Sequence, residues 1–315
     1  MIDAAQILRA RDVLAGIALR TPLVRLDAGD GPEILLKLET LQPVNSFKIR
    51  GAGNAVLQAG EADLADGVLT ASAGNMAQGV AYAARLRGVP ATIVVPEHAP
   101  ETKLAAINRF GGRAIKVPFD EWWQVLVDGR YAGARGLFVH PVADERVMAG
   151  NGTIGLELLE QCPDFDAVVV PYGGGGLVTG IGSAVKAARP WVSVYAAEPA
   201  TGAPAAASLA AGVPTAVEYQ PSFVDGSGSR ALIPAVWEHA AALLDGAFAV
   251  PLDEVASAVR LIAERVRVVA EGAGALAPAA VLGGRLPGAR KVVCVVSGGN
   301  IDPGVLSRIL NGETP

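Results

Sequence analysis

From Gly67 to Ala197 the apolar positions keep a regular beat. Short, largely apolar runs (Gly67–Ala71, Ala91–Val95, Arg113–Val117, Leu137–Val139, Ala167–Val170 and Val192–Ala197) alternate with longer segments whose apolar residues recur at helical spacing (Asn75–Leu86, Pro100–Phe110, Phe119–Ala134, Asp144–Gln161 and Gly176–Ala188). Strand and helix in alternation predict right-handed βαβ units on a parallel sheet. Strands without polar alternation predict a sheet covered by helices on both faces.

The flanks extend this pattern. Residues 3–16 place Ile7, Leu8, Val13 and Leu14 at helical spacing, and Thr21-Pro22-Leu23 then breaks the helix into an extended piece. Ile34–Glu39 reads as a strand, and a helix opens near Lys48. Residues 199–235 lose the beat. They are rich in Ala, Pro, Gly and Ser, Phe223–Gly228 reads as a loop, and the stretch is expected at a site rather than in the core. Asp253–Val268 and Gly272–Leu282 predict helices, Lys291–Val296 the last strand and Asp302–Leu310 the last helix. About ten strands exceed one comfortable sheet, so the fold class is α/β with two open sheets. No internal repeat or long linker interrupts the chain.

Composition narrows the function. The 315 residues are 51% hydrophobic and 18% charged, a globular composition with ample core. The net charge of −5 and the lack of a basic stripe argue against nucleic acid as a partner. No apolar run reaches the roughly 18 residues of a membrane span, and Met1-Ile2-Asp3 opens without a basic, signal-like segment, so a cytoplasmic protein is expected. Cys162 and Cys294 show no metal spacing, and no metal site is expected.

Four stretches carry chemistry. Lys48 lies in the first turn of its helix, where the helix dipole disfavours a cation, and between Phe47 and Ile49, which desolvate it. Both effects favour a neutral amine able to form a Schiff base, although an exposed lysine at a helix start has the same sequence. Val168-Val169-Val170-Pro171-Tyr172 runs into Gly173, Gly174, Gly175 and Gly176 and then a helix. A plain turn needs one or two glycines; four ahead of a helix N-terminus predict an anion site. The spacing lacks a dinucleotide fingerprint and a Walker lysine, so a phosphate monoester fits better. Thr70-Ala71-Ser72-Ala73-Gly74-Asn75 again joins a strand to a helix; its hydroxyl and amide suit a carboxylate or simply cap the helix. Val296 ends a strand in Ser297-Gly298-Gly299-Asn300, where the serine either meets a ring nitrogen or stabilises a turn. Strand ends converging in this way form the ligand crevice of open α/β sheets. With a Schiff-base lysine, they imply a phosphate-bearing aldehyde, pyridoxal 5'-phosphate.

These stretches, with Thr21-Pro22-Leu23, Lys37-Leu38-Glu39, Gln42-Pro43, Ser46-Phe47-Lys48-Ile49-Arg50-Gly51-Ala52, Asp225-Gly226 and Glu271-Gly272-Ala273-Gly274-Ala275, resemble the fold-type II pyridoxal-phosphate enzymes, specifically the threonine/serine dehydratase and serine racemase group. They occur in the family's order and span nearly the whole chain. The resemblance implies a tryptophan synthase β-like pair of domains: a large cofactor-binding domain, residues 1–66 and 144–315, and a small mobile domain, residues 67–143, with the cofactor in the cleft between them. It implies that Lys48 holds the cofactor and takes the substrate α-proton, that Phe47 packs near the cofactor ring, and that Asn75 bonds the phenolic oxygen. Gly173, Gly174, Gly175, Gly176 and Leu177 would cradle the phosphate and Ser297 would meet the pyridine nitrogen. Ser72, Ala73, Gly74, Met76, Asn45, Ser46 and Gly226 would form the substrate side. A homodimer is implied as well.

Departures from the family pattern shape the expected reaction. Asn45 replaces a usual glycine and Met76 a common histidine, suggesting a less usual substrate. Ala73 stands where racemising members carry serine, so weak or no racemisation is expected. Glu198 matches the first acid of a divalent-cation pattern, but Pro204 stands at its later acid. The expected reaction is conversion of a β-hydroxy-α-amino acid to a 2-oxo acid and ammonia. The substrate is threonine, serine or a bulkier 3-hydroxy amino acid of the phenylserine or hydroxyaspartate type. A β-replacement enzyme, a racemase of the same fold and a non-catalytic amino-acid-binding homologue are the alternatives. Of Trp122-Trp123, adjacent on one helix, at most one can face a pocket, and both are assigned to packing, as are His98, His140, His239 and Tyr172. Glu271 reads equally as a residue near the cofactor or as a solvent-facing acid.

Overall fold

A computed structural model describes residues 1–29 and 31–315. The chain begins with α1 (Ala4–Val13), capped by a reciprocal box between Asp3 and Gln6, and a hairpin of β1 (Leu23–Leu26) and β2 (Glu33–Leu38). The helix α2 (Lys48–Leu57) follows, then β3 (Val68–Ala71), α3 (Asn75–Arg87), β4 (Ala91–Pro96), α4 (Glu101–Arg109), β5 (Gly112–Val117), α5 (Phe119–Asp128) and β6 (Leu137–Phe138). The second half runs α6 (Glu145–Gln161), β7 (Ala167–Pro171), α7 (Gly176–Ala188), β8 (Ser193–Pro199), α8 (Pro204–Ala211), α9 (Pro234–Ala241), β9 (Gly246–Val250), α10 (Leu252–Val266), α11 (Gly272–Leu282), β10 (Lys291–Val296) and α12 (Pro303–Leu310).

Two sheets result. The larger has the order β1-β2-β10-β7-β8-β9, parallel except for β1. The smaller, β5-β4-β3-β6, is parallel throughout. The central strands are buried because helices cover both faces, and in β10 Val292 to Val296 are all fully buried, whereas the edge strands β5 and β6 of the smaller sheet are only partly buried.

Small residues set the helix approaches that matter for function. Helices α2, α3 and α6 pack closely at the start of α2. A Cβ added at Gly79 of α3 would lie 3.0 Å from the Lys48 carbonyl oxygen, and one at Gly51 of α2 would lie 2.6 Å from Val147 of α6. Beneath them sits a buried charge network. Arg50 forms a fork with Glu39, Nε to Oε2 and Nη2 to Oε1, both at 2.8 Å, and reaches Glu157 at 2.6 Å. Lys37 joins through Glu157 and donates to the Thr21 carbonyl at 2.8 Å.

Three readings are corrected. The helix expected over 119–134 stops at Asp128, because Gly129 turns left-handed at φ 63. The stretch 199–235 is not wholly loop, since α8 and the start of α9 lie in it, each with proline at its start; Pro204 and Ala205 are buried in packing. The strand β9 lies at the sheet edge and was not expected.

Candidate active site

The carboxyl ends of β3, β7 and β10 and the start of α2 meet at one cleft of about 690 Å³. Its position follows from parallel topology, which leaves the strand-to-helix loops of both sheets facing one another.

Lys48 is the first residue of α2, and no side chain caps that end. Its Nζ donates to the Pro141 carbonyl at 3.0 Å and lies 5.1 Å from the centre of the Phe47 ring. The side chain reaches the cleft, but protein surrounds its amine. Burial pulls its pKa down to about 8, with the charge of Glu271 opposing the shift. The Pro141 acceptor is held by a neutral histidine. His140 Nδ1 accepts from the Val142 and Ala143 amides at 3.1 and 2.8 Å, and burial pushes its pKa down to about 4.

The glycine loop leaves β7 and enters α7 with no side chain at the cap. Gly175 has φ +89, and a Cβ there would lie 2.8 Å from the Tyr172 hydroxyl; at Gly174 it would lie 2.8 Å from Val142. Only glycine fits, and α7 presents uncapped amides toward the cleft. Asn151 of α6 donates to the Gly176 carbonyl at 3.2 Å, with its Oδ1 buried and without a partner. Leu177 lines the same wall.

Past β3, Gly74 occupies the cap position of α3 without capping it through a side chain, and its amide donates to Ser72 Oγ at 3.2 Å. Ser72, Ala73 and Gly74 line the cleft half-buried. Asn75 is fixed at both ends of its amide: Nδ2 donates to Glu271 Oε1 at 2.7 Å, and Oδ1 accepts from Asn300 at 2.7 Å. Glu271 precedes α11, only 5% exposed. Burial lifts its pKa to about 7, the charge of Asp225 adding and the Asn75 bond opposing. Ser297, buried at the end of β10, lines the cleft, and its carbonyl accepts the Phe47 amide at 2.9 Å.

The structure thus brings together on one cleft Phe47, Lys48, Ser72, Ala73, Gly74, Asn75, Met76, Gly173, Gly174, Gly175, Gly176, Leu177, Gly226 and Ser297. Met76 borders it while packing mainly into the core at 2% exposure. Asn45 and Ser46 do not line it. Asn45 adopts the left-handed conformation at φ 55, which asparagine tolerates, and stays exposed, bonded to Asn300 at 3.4 Å. Ser46 is buried and bridges to Gly298. Trp122 packs against the cluster of Leu69, Val94, Val117 and Val125, as assigned, and also lines the cleft, whereas Trp123 is exposed. Asn151, Pro141 and Asn300 line it too. Asn151 between Gly150 and Gly152 was the available signal, since small residues on a helix mark close approach. Glu198 is fully buried, accepts from the Ala205 and Ala206 amides at 3.1 and 2.9 Å, and is pushed up to about 7 by burial.

The family model described as pyridoxal-phosphate dependent enzyme matches residues 15–298. The L-threonine ammonia-lyase of Thermotoga maritima is 41% identical over 317 residues, covering 99% of this chain and 79% of that protein. Among solved structures, maize serine racemase superposes with a TM-score of 0.89 at 33% identity, covering 98% and 97% of the two chains. The T.th. threonine deaminase superposes at 0.83 with 35% identity, covering 95% and 99%.

Proposed function

The chain belongs to the pyridoxal-phosphate dependent enzyme family, and on that premise we propose that it converts a β-hydroxy-α-amino acid to a 2-oxo acid and ammonia. The observation that carries this reading is a desolvated amine, Lys48, sharing one cleft with a glycine cradle and an uncapped Ser72–Gly74 loop. The residues present fit the cofactor. The cradle is one that any side chain would fill, its helix amides are uncapped, and Lys48 is a buried amine whose pKa desolvation lowers to about 8.

Bound there, pyridoxal phosphate supplies an aldehyde that captures amines and an electron sink for a carbanion. Gly173 to Gly176, with Leu177, would hold its phosphate; Asn75 keeps one amide hydrogen free beyond its Glu271 bond; Ser297 would face the ring nitrogen. The remaining steps belong to the protein's own groups. With the cofactor bound, Lys48 would accept the substrate α-proton at Nζ, a transfer suited to an amine whose pKa burial lowers to about 8. The Ser72–Gly74 loop and the first amides of α3 orient the substrate carboxylate. Glu271, whose pKa burial lifts to about 7, accepts the Asn75 amide and, with Asn300, fixes that side chain at the cleft. Ala73 brings no titratable group to the cleft, which favours elimination over racemisation.

The test is a panel of 3-hydroxy amino acids assayed for 2-oxo acid and ammonia in equal amounts. Release of both from at least one member, with D-serine formed from L-serine more slowly than pyruvate, is expected. Racemisation outpacing elimination, or incorporation of an added thiol in place of the hydroxyl, would overturn it.

A pH dependence follows from Lys48. Only the neutral amine attacks the aldehyde, and its share grows as pH rises through the lowered pKa. Capture of pyridoxal phosphate by cofactor-free protein, followed by absorbance, should therefore accelerate with a midpoint near pH 8. Glu271→Gln removes a charge that stabilises the ammonium, so its midpoint should fall lower still. A wild-type midpoint near the ordinary lysine value of 10.5 would contradict the desolvation argument.

A further inference from the structure

The cleft does not end at the Ser72–Asn75 loop. It continues along the carboxyl ends of β4 and β5, where Pro96, Thr102, Lys103, Ala106, Phe119 and Trp122 line it, and nothing in the proposed reaction uses this part. Phe119 and Trp122 form an aromatic corner, their ring centres 5.5 Å apart at 40°, and His98 stacks behind Phe119 at 6.1 Å. Phe223, Ile301, Pro303 and Val305 add further apolar lining, interleaved with Asp225 and Asp302.

Charge decides what such a space accepts. Among the described residues of the cleft, the lysines and arginines are Lys48 and Lys103. Lys103 is occupied across the mouth by Asp225, Nζ to Oδ2 at 2.5 Å. Asp225, Glu271 and Asp302 contribute carboxyl groups. A substrate carrying a second carboxylate would find Lys103 already paired with Asp225 and the carboxyl groups of Glu271 and Asp302 nearby. A planar apolar group would find ring faces and edges of the kind that aromatic pairs adopt.

We propose that Phe119 and Trp122 form the subsite for the substrate's β-substituent and select an aryl group, so that 3-aryl-3-hydroxy amino acids of the phenylserine type are preferred to threonine and 3-hydroxyaspartate is refused. This rests on the dehydratase reading above and adds to it which member of the substrate class the cleft takes.

The test uses holoenzyme and two readouts. The first is kcat/KM for phenylserine, threonine and 3-hydroxyaspartate in wild type, Trp122→Ala, Trp122→Phe and Phe119→Ala. Wild type should prefer phenylserine and act least on 3-hydroxyaspartate. The phenylserine-to-threonine ratio should fall about tenfold or more in both alanine variants, the discrimination one apolar contact region typically supplies. It should stay within about threefold in Trp122→Phe, which keeps a ring. The second readout is binding of the unreactive analogues L-phenylalanine and L-alanine, followed by the change in cofactor absorbance. Wild type should bind L-phenylalanine more tightly, and Trp122→Ala should lose that preference. Threonine turnover with a ratio that no variant alters overturns the subsite and leaves the dehydratase standing. Absence of turnover on every hydroxy amino acid overturns the dehydratase reading, and equal binding of the two analogues in wild type overturns the subsite by itself.

Discussion

Lys48→Ala should lose turnover by at least about a thousandfold, since general acid–base catalysis alone contributes roughly 10²–10⁴-fold and this residue also provides the point of attachment. The cleft itself should survive. Among the described residues the Lys48 amine donates one hydrogen bond, to the Pro141 carbonyl, and alanine is a good helix former for the start of α2. The structure therefore predicts a folded protein that binds pyridoxal phosphate through the glycine loop without retaining it. Borohydride treatment of loaded wild type should fix a pyridoxyl group on the peptide holding Lys48, seen by mass spectrometry. The variant should show no such adduct at any lysine. An adduct on another lysine, or full turnover in Lys48→Ala, would remove Lys48 from the centre of the mechanism.

Arg50→Met should be the most destabilising single change near the site. Arg50 is 1% exposed, and its guanidinium serves Glu39, Glu157, Thr153 and the Leu19 carbonyl. Those carboxylates hold it firmly protonated, while Arg50, with Lys37 and a bond from Thr21, holds the fully buried Glu39 below the usual glutamate range despite the opposing effect of burial. Removing one member of a buried ion pair strands the other, a loss of about 3–5 kcal/mol. The midpoint of urea unfolding, followed by circular dichroism, should drop accordingly. The pH dependence has a definite sign. In wild type the stabilisation linked to Glu39 is present above its unfolded pKa and is lost as pH falls through its lowered folded value. In Arg50→Met burial dominates and lifts the Glu39 pKa, so the deficit is largest at pH 8 and shrinks toward pH 5. A deficit that grows toward acid would show that Glu39 is not the stranded charge. Arg50→Lys should recover only part of the loss, because an ammonium cannot form the two-pronged contact with Glu39.

This network explains why Lys48 is placed so firmly. Arg50 lies two residues on from Lys48, and Glu39 follows β2 directly, so the ion pair ties the end of a sheet strand to the start of the reactive helix. The local sequence Lys48-Ile49-Arg50 therefore alternates reactive, core and anchoring positions within a single turn.

Much of the fold was legible because helices cover both faces of the sheets. That coverage forces continuous apolar strands, and the predicted Lys291–Val296, Gly176–Ala188 and Gly272–Leu282 coincide with β10, α7 and α11 residue for residue. The unexpected strand β9 is an edge strand, mostly half-buried, whose small residues carry little periodic signal. Helix α8 was hidden by a run of alanines, which are good helix formers but mark no face.

The site divides in the same way. Glycines before a helix, a lysine at a helix start and a serine at a strand end are statements about local backbone, and neighbours in sequence suffice to make them. The chain by itself therefore determined the cofactor chemistry and the strand ends that would supply it. Tertiary structure alone decided the environment of each group. Asn45, exposed by its left-handed turn, bears on the site indirectly, through Asn300 and the Gly299 amide. Glu271 became a buried partner of Asn75, 196 positions away in the chain. Pro141, shaped by His140, became the acceptor for Lys48, and of two adjacent tryptophans the first faces the cleft. Desolvation and side-chain direction depend on which distant segments close over a residue, and that is settled only when the two sheets meet.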